Sequence, residues 1–541
     1  MTDIRNLLSK RSTLMTIIAL AMIVSIALFI NHSSAKADNS QSYIVQGNEL
    51  AQLQIDVEEA GGKITDQLQI INAVAATLTF KQAQALRDAG LKVFKNASVK
   101  TESTGSMPTY IARQTGAHHL HQQGITGDNV TIAVIDSGIG AKGFHGQYLR
   151  LDPDNNVRVL AQYNSYTQQD IETISNSDKH GHGSHITGIA VSSIKDHNGA
   201  FNGMAPYADI VSVKAFNKFG EGNYLSVIQG LEWVLNNQQQ YNIRVVNLSF
   251  GSTPTSNYWD DPLNQAVMRV WQAGIVVVTS AGNTGPDPMS VSVPGNVPYI
   301  ITVGAVTDHY TPGNFSDDRL TSFSAVGPTH EGFIKPDLVA WGGHMRGKIQ
   351  ADFRPTYVLA YPETHKGDRY FEISGTSQAS AVITGTVALM LQHDPTLTPD
   401  DVKCRLMSTA KAAAVGGKLA YSPFQQGSGL VNAYQAVHST ETGCANSGLD
   451  IASDLADLQH FQGPTRVDAN NQLYIVAPDG TTWNEGTTWN EGTSWNEGTS
   501  WNEGTSWNEG TTWNEGTTWN EGTIWNESLL PAAVNAWVNQ E

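Results

Sequence analysis

Between residues 108 and 437, short apolar runs alternate with amphipathic stretches. The runs at 130–135 (VTIAVI), 210–215, 244–250 and 274–280 (GIVVVTS) are rich in Val and Ile and predict strands. Residues 224–237 and 262–273 predict helices between them. Small and apolar residues fill 186–193 and 379–391, so both predict helices, the second one buried. This alternation predicts an α/β fold with a mainly parallel sheet and helices on both faces. Ahead of it, residues 38 to about 105 predict a small α+β unit. Its strands are expected at 43–45 and 70–78 and its helices at 50–60 and 81–89, the first closed by Gly61-Gly62. Residues 100–106 are polar and suit a linker that a protease can enter.

Composition narrows the functional classes. A chain of 541 residues predicts roughly three units. With 32 basic against 50 acidic residues the net charge is −18, which excludes nucleic acid or an anionic membrane surface as the main partner. At the start, Arg5, Lys10 and Arg11 precede a 17-residue weakly polar to apolar run, 14–30, and then Ala35-Lys36-Ala37. That order predicts an export signal cut after Ala37, with an uncleaved membrane anchor as the alternative. The protein is then expected to be secreted, periplasmic or held at the cell surface. Export permits the two cysteines, Cys404 and Cys444, to form a disulfide.

In open parallel sheets the working residues gather where strands end. Asp136 follows the 130–135 run, Asn283 follows 274–280, and Ser249-Phe250-Gly251 ends 244–250. His182 and Ser377 each open a small-residue helix. Together they fit acyl transfer. A serine hydroxyl needs a neutral imidazole to take its proton. The imidazole needs a carboxylate to fix its tautomer. The tetrahedral oxyanion needs fixed donors, which an Asn amide and a helix-start N–H supply. Gly375-x-Ser377-x-Ala379 lacks the second glycine of the α/β-hydrolase elbow, and the order Asp, His, Ser excludes the chymotrypsin arrangement.

Val134-Ile135-Asp136-Ser137-Gly138, His182-Gly183-Ser184-His185-Ile186-Thr187-Gly188 and Gly375-Thr376-Ser377 resemble the three catalytic motifs of the subtilisin-like serine proteases, the subtilases. Gly203-Met204-Ala205-Pro206, Asn247-Leu248-Ser249-Phe250-Gly251, Ala281-Gly282-Asn283 and Phe323-Ser324-Ala325-Val326-Gly327 extend the resemblance over about 108–437. It implies Asp136 as the orienting acid, His182 as general base and acid, Ser377 as nucleophile and Asn283 as oxyanion donor. Ser249, Phe250 and Gly251 would form the edge that pairs with an extended polypeptide substrate. It also implies that residues 38–107 are an inhibitory propeptide, acting within the chain and cut near 100–108, ahead of a catalytic domain over 108–440. No cofactor is required for catalysis. Structural calcium is common in such proteases, but no run dense enough in Asp places a site, so no metal ligand is assigned. Gln378 and Ala381 replace the Met and Pro the family usually carries after the serine, and Ser137 replaces the commoner Thr. The segment 329–370 is expected to add a surface loop.

Other residues carry weaker signals. His180, His182 and His185 could bind zinc by spacing, but the triad claims His182, and His185 is expected to be packed one turn along. His118, His119 and His121 read as a solvated face. Thr398-Pro399-Asp400-Asp401 reads as a helix N-cap. Residues 441–480 are expected as a linker. From 481 to 527 a hexad close to Thr-Thr/Ser-Trp-Asn-Glu-Gly repeats and carries eight of the thirteen tryptophans, before a final segment, 528–541, with a short helix at 529–538. A period of six is even, so an extended strand would point every Trp the same way. The repeats are either a flexible spacer or a surface for cell envelope, glycan or protein. The rival to an exported, propeptide-regulated endopeptidase is therefore a non-catalytic binding protein that works through these repeats.

Overall fold

The computed structural model describes residues 40–101, 110–196, 199–350, 355–367, 369–415, 418–468, 473–476 and 482–484. The expected export signal, the expected cut region beyond residue 101, most of the Trp repeats and the expected terminal helix lie outside the described residues. Among those described, no helix is long and apolar enough to cross a membrane. The chain divides into two compact units, Met1–Gln67 with Asn72–Lys95, and Leu68–Ile71 with Asn96–Glu541.

The first unit runs β1 (Gln41–Gln46), α1 (Leu50–Glu59), β2 (Lys63–Leu68), β3 (Ala73–Leu78), α2 (Phe80–Asp88) and β4 (Lys92–Lys95). The strands lie in the order β2-β3-β1-β4, and β1 is antiparallel to both β3 and β4, a split β-α-β arrangement. Alternate residues Tyr43 and Val45, with Val74, Ala76 and Leu78, meet Leu53 and Val57 of α1 and Ala83 and Leu86 of α2 in one core. A capping box opens α2: the Thr79 hydroxyl accepts from Gln82 N–H and the Gln82 amide oxygen from Thr79 N–H. The strand expected at 70–78 begins only at Ala73, because Gln69–Ile71 forms a 3₁₀ turn and Asn72 adopts a φ of 49°.

In the second unit β5 spans Ser98–Thr101, β6 Thr131–Asp136, β7 Val159–Asn164, β8 Gln169–Ile171 and β9 Asp209–Lys214. Next come β10 (Glu221–Asn223), β11 (Ile243–Leu248), β12 (Phe250–Gly251), β13 (Val276–Ser280), β14 (Ile301–Thr307), β15 (Arg319–Leu320) and β16 (Leu338–Trp341). The described residues form a nine-stranded sheet in the order β15-β14-β13-β11-β6-β9-β7-β8, with β16 paired to β14. Its inner strands are parallel and only β8 and β15 run antiparallel, as the sequence pattern predicts. β6, β13 and β14 are buried at every position. Successive side chains point to opposite faces, so both faces are covered. The helices α3 (His182–Val191), α4 (Tyr224–Tyr241), α5 (Pro262–Gln272) and α6 (Thr376–His393) provide the cover, α3 packing on α6 and α4 on α5.

Two segments differ from expectation. Residues 329–370 hold more than a surface loop: they contain β16 of the central sheet, and Met345–Lys348 pairs with Tyr370–Ile373 in a hairpin. Residues 441–480, expected as a linker, hold a helix at Ile451–Leu455 and strands at Thr465–Val467 and Leu473–Val476. The buried Asp454 carboxylate accepts from the Tyr258 and Tyr299 hydroxyls, and Ile475 packs with Val326, Ile334, Met407 and Phe424. A carboxylate paired in this way and a few well-placed apolar residues hold a segment whose composition looks like a linker. Thr482–Asn484, in the first hexad, adds a strand beside Leu473–Val476. Thr398 caps its helix through a box with Asp401, as expected, and Cys404 and Cys444 form a disulfide with a Cα–Cα distance of 5.2 Å.

Candidate active site

The candidate residues sit at element ends. Asp136 closes β6, His182 is the first residue of α3, Ser249 follows β11, Asn283 lies three residues beyond β13, and Ser377 is the second residue of α6. Asp136, His182 and Ser377 are all buried. His182 Nδ1 lies 2.9 Å from each Asp136 carboxylate oxygen, so Nδ1 carries the proton and Nε2 is the basic nitrogen. His182 Nε2 is buried and has no hydrogen-bond partner among the described residues. The Ser377 hydroxyl donates to the Ser249 carbonyl at 3.1 Å. The Asn283 amide oxygen accepts from Thr376 N–H at 3.0 Å and from the Thr376 hydroxyl at 2.7 Å, which fixes its NH₂ as the opposite, donor end.

Glycine is needed where α3 meets β6. A Cβ on Gly183 would stand 2.2 Å from the Gly138 carbonyl and 3.1 Å from Asp136 Oδ1, so the helix start approaches the carboxylate only without a side chain.

Two groups of supporting residues escape the sequence reading. Asp178 is buried just ahead of α3. One of its oxygens accepts from the Ser137 hydroxyl and the N–H groups of His180 and Gly181, the other from the N–H and hydroxyl of Ser184. Burial pushes its pKa up, but the donors from Gly181 and Ser184 outweigh burial and hold it below the ordinary value. An Asp just before a predicted helix start was the signal available. Beneath Ser377, the Asn247 amide donates to the Ser249 hydroxyl, which meets the Ser380 hydroxyl at 2.9 Å, and Thr384 donates back to Asn247. An Asn amid the apolar residues of β11 signals such a network.

The other histidines singled out by their spacing differ in their surroundings. His185 Nε2 lies 3.1 Å from the carbonyls of Met345 and Phe371, so Nε2 is the donor, and Nδ1 faces the Gln378 amide nitrogen at 3.4 Å. Burial lowers the His185 pKa to about 3. Burial and then His182 lower that of His180 to about 4. His119 is exposed, whereas His118 is half-buried and His121 reaches the Met204 carbonyl at 2.7 Å, so this face is only partly solvated. Among the described residues no group of three or more His, Cys, Asp or Glu is placed to hold a metal ion.

β12 is where a peptide edge was expected, and it is paired. β5 lies antiparallel to it, with Phe250 opposite Thr101 and Gly251 opposite Lys100. β10 flanks the other side of β5, so a strand of this chain's own backbone fills the groove.

One stability prediction follows from Asp178. Asp178→Asn turns an NH₂ toward donors, and in a Ser377→Ala background it is expected to cost about 2–3 kcal/mol in urea unfolding at neutral pH. The native pKa is lowered, so the carboxylate's contribution is present above the unfolded value of 3.8 and is lost as pH falls through the lower native value. The difference between the two proteins should therefore shrink in that acid range, and a constant difference would contradict this role.

A model of the subtilase family matches residues 127–429. Serine protease AprX of Bacillus subtilis is 33% identical over 364 residues, covering 64% of this chain and 76% of AprX. Subtilisin NAT of Bacillus subtilis subsp. natto is 31% identical over 440 residues, covering 79% of this chain and 99% of that protein. The crystal structure of fervidolysin from Fervidobacterium pennivorans, a keratinolytic enzyme related to subtilisin, superposes with a TM-score of 0.60. It covers 83% of this chain and 68% of fervidolysin at 20% identity, a likeness of fold.

Proposed function

The chain belongs to the subtilase family and is a serine endopeptidase; on that premise we propose that Ser377, His182 and Asp136 are its catalytic triad. Ser377 Oγ attacks the scissile carbonyl while His182 Nε2 takes its proton. His182 then returns that proton to the leaving amine, and water repeats the sequence on the acyl-enzyme. Asp136 keeps the proton on Nδ1 and steadies the imidazolium. The observation that carries this reading is the imidazole itself: Nδ1 is held by both Asp136 oxygens, and Nε2 is buried without a partner among the described residues. Catalysis in this family needs no cofactor. Structural calcium is common in the family, and no calcium site is assigned here.

The Asn283 NH₂ and the Ser377 N–H at the positive end of α6 are the oxyanion donors. Asn283→Ala is expected to lower kcat by about 10²–10³ with KM little changed, the size known for the equivalent loss in subtilisin itself. Steady-state kinetics on a chromogenic peptide test it, and an equal rise in KM with unchanged kcat would instead indicate plain substrate binding.

Polypeptide substrates lie extended between β10 and β12, with Ser249, Phe250 and Gly251 as one edge. The pairing of β5 in that groove supports reading residues 38–107 as an inhibitory propeptide, removed to give a catalytic domain starting near residue 108. The basic start, apolar run and Ala-x-Ala of residues 1–37 support export. The Trp repeats serve as a spacer or accessory segment. Deleting residues 478–541 should leave peptide hydrolysis intact, and affinity for cell walls and polysaccharides, measured with and without that tail, decides whether the repeats bind them.

A further inference from the structure

The register of the groove singles out Glu221. β5 is the central strand of its sheet, and one of its positions, occupied by Lys100, stands opposite Glu221 on one side and Gly251 on the other. Ser377 bonds to the carbonyl of Ser249, two residues from Gly251. A peptide antiparallel to β12 therefore reaches Ser249 two positions further toward its carboxyl end. When the residue opposite Ser249 carries the bond attacked, the residue opposite Glu221 is the third before that bond.

Residues directly opposite in an antiparallel pair put their side chains on the same face. Glu221 is exposed, while its backbone is fixed: its N–H donates to the Asn217 side-chain oxygen, and its carbonyl accepts from Asn217 N–H and the Tyr166 hydroxyl. The neighbouring cation, Lys218, lies over the Phe219 ring at 4.8 Å. The residue this chain itself sets at the position opposite Glu221 is basic. We propose that Glu221 is a specificity-determining residue that selects Lys or Arg at the third position before the scissile bond. This rests on the groove being the substrate site and Ser377 the nucleophile.

The test uses peptides identical except for Lys, Arg, Gln or Glu at that position. Each is cleaved by the matured wild-type enzyme, by Glu221→Gln and by Glu221→Lys, at low and at 1 M salt. Wild type should prefer Lys over Glu by about three- to ten-fold in kcat/KM, the range of one exposed cross-strand pair gained and one like-charge pair avoided. The preference should fall toward unity at high salt. It should vanish in Glu221→Gln and invert in Glu221→Lys. Each ratio is internal to one protein, so a general loss of activity or of folded enzyme cancels. A Lys:Glu ratio unchanged by either substitution, while wild type cleaves the Gln peptide, overturns the role of Glu221 alone. Failure of wild type to cleave any of the peptides overturns the groove reading, and this proposal with it.

Discussion

Ser377→Ala will reduce peptide hydrolysis by about 10⁶-fold, the size known for loss of the nucleophile in subtilisin itself, and will leave residues 38–107 attached to the chain. The hydroxyl is the one group that forms a bond to the substrate carbon. Its replacement leaves the buried Asp136–His182 pair and the Asn283–Thr376 contact in place, so residual catalysis comes from the oxyanion donors and binding alone. The variant should fold, because among the described residues the Ser377 side chain makes only the 3.1 Å bond to the Ser249 carbonyl. Kinetics on a peptide, together with sizing of the expressed chain, read both effects. A variant that matures at the wild-type rate would show that Ser377 is not the nucleophile.

The second large effect is expected at Asp136. Asp136→Asn keeps size and shape but puts an NH₂ near His182 Nδ1, where two carboxylate oxygens now stand at 2.9 Å. A donor there requires Nδ1 to accept, which drives the imidazole proton to Nε2 and removes the base that faces substrate. The loss in kcat is expected to be about 10⁴-fold, as for the same change in another Ser-His-Asp protease, with KM close to wild type. If the loss is ten-fold or less, Asp136 does not control the tautomer.

The parts legible from sequence are those whose chemistry and position coincide. β6, β11 and β13 are continuous Val- and Ile-rich runs buried on both faces, and Asp136, Ser249 and Asn283 follow where those runs stop. His182 and Ser377 were legible because small residues follow each one and mark a closely packed helix. β2 (KITDQL) and β4 (KVFK) escaped because each is short and carries charged residues, so period-two burial is their main signal. Asp178 and the Asn247–Ser380–Thr384 network escaped because their role lies in contacts across more than a hundred residues, or across a tight turn that periodicity does not encode. Residues 441–480 escaped for a related reason. Asp454 is polar in sequence, and becomes a buried anchor only when Tyr258 and Tyr299 reach it from elsewhere in the chain.

Gln378 bears on how the nucleophile is surrounded. It stands where the family usually has Met, and its amide nitrogen lies 3.4 Å from His185 Nδ1, the acceptor nitrogen left by the donor role of Nε2. The nitrogen thus meets a histidine on the helix that also carries His182, while the amide oxygen is buried without a partner among the described residues; Asp136, His182 and Asn283 keep their contacts.

Ser377 is proposed to be a nucleophile activated by His182. Mass mapping after treatment with a fluorophosphonate tests it directly. One adduct is expected on the matured wild-type enzyme, on the peptide containing Ser377, formed in step with loss of activity and at least about 10³-fold more slowly in His182→Ala. An active enzyme that loses its activity with the adduct on another residue, or that labels Ser377 equally fast without His182, would contradict it.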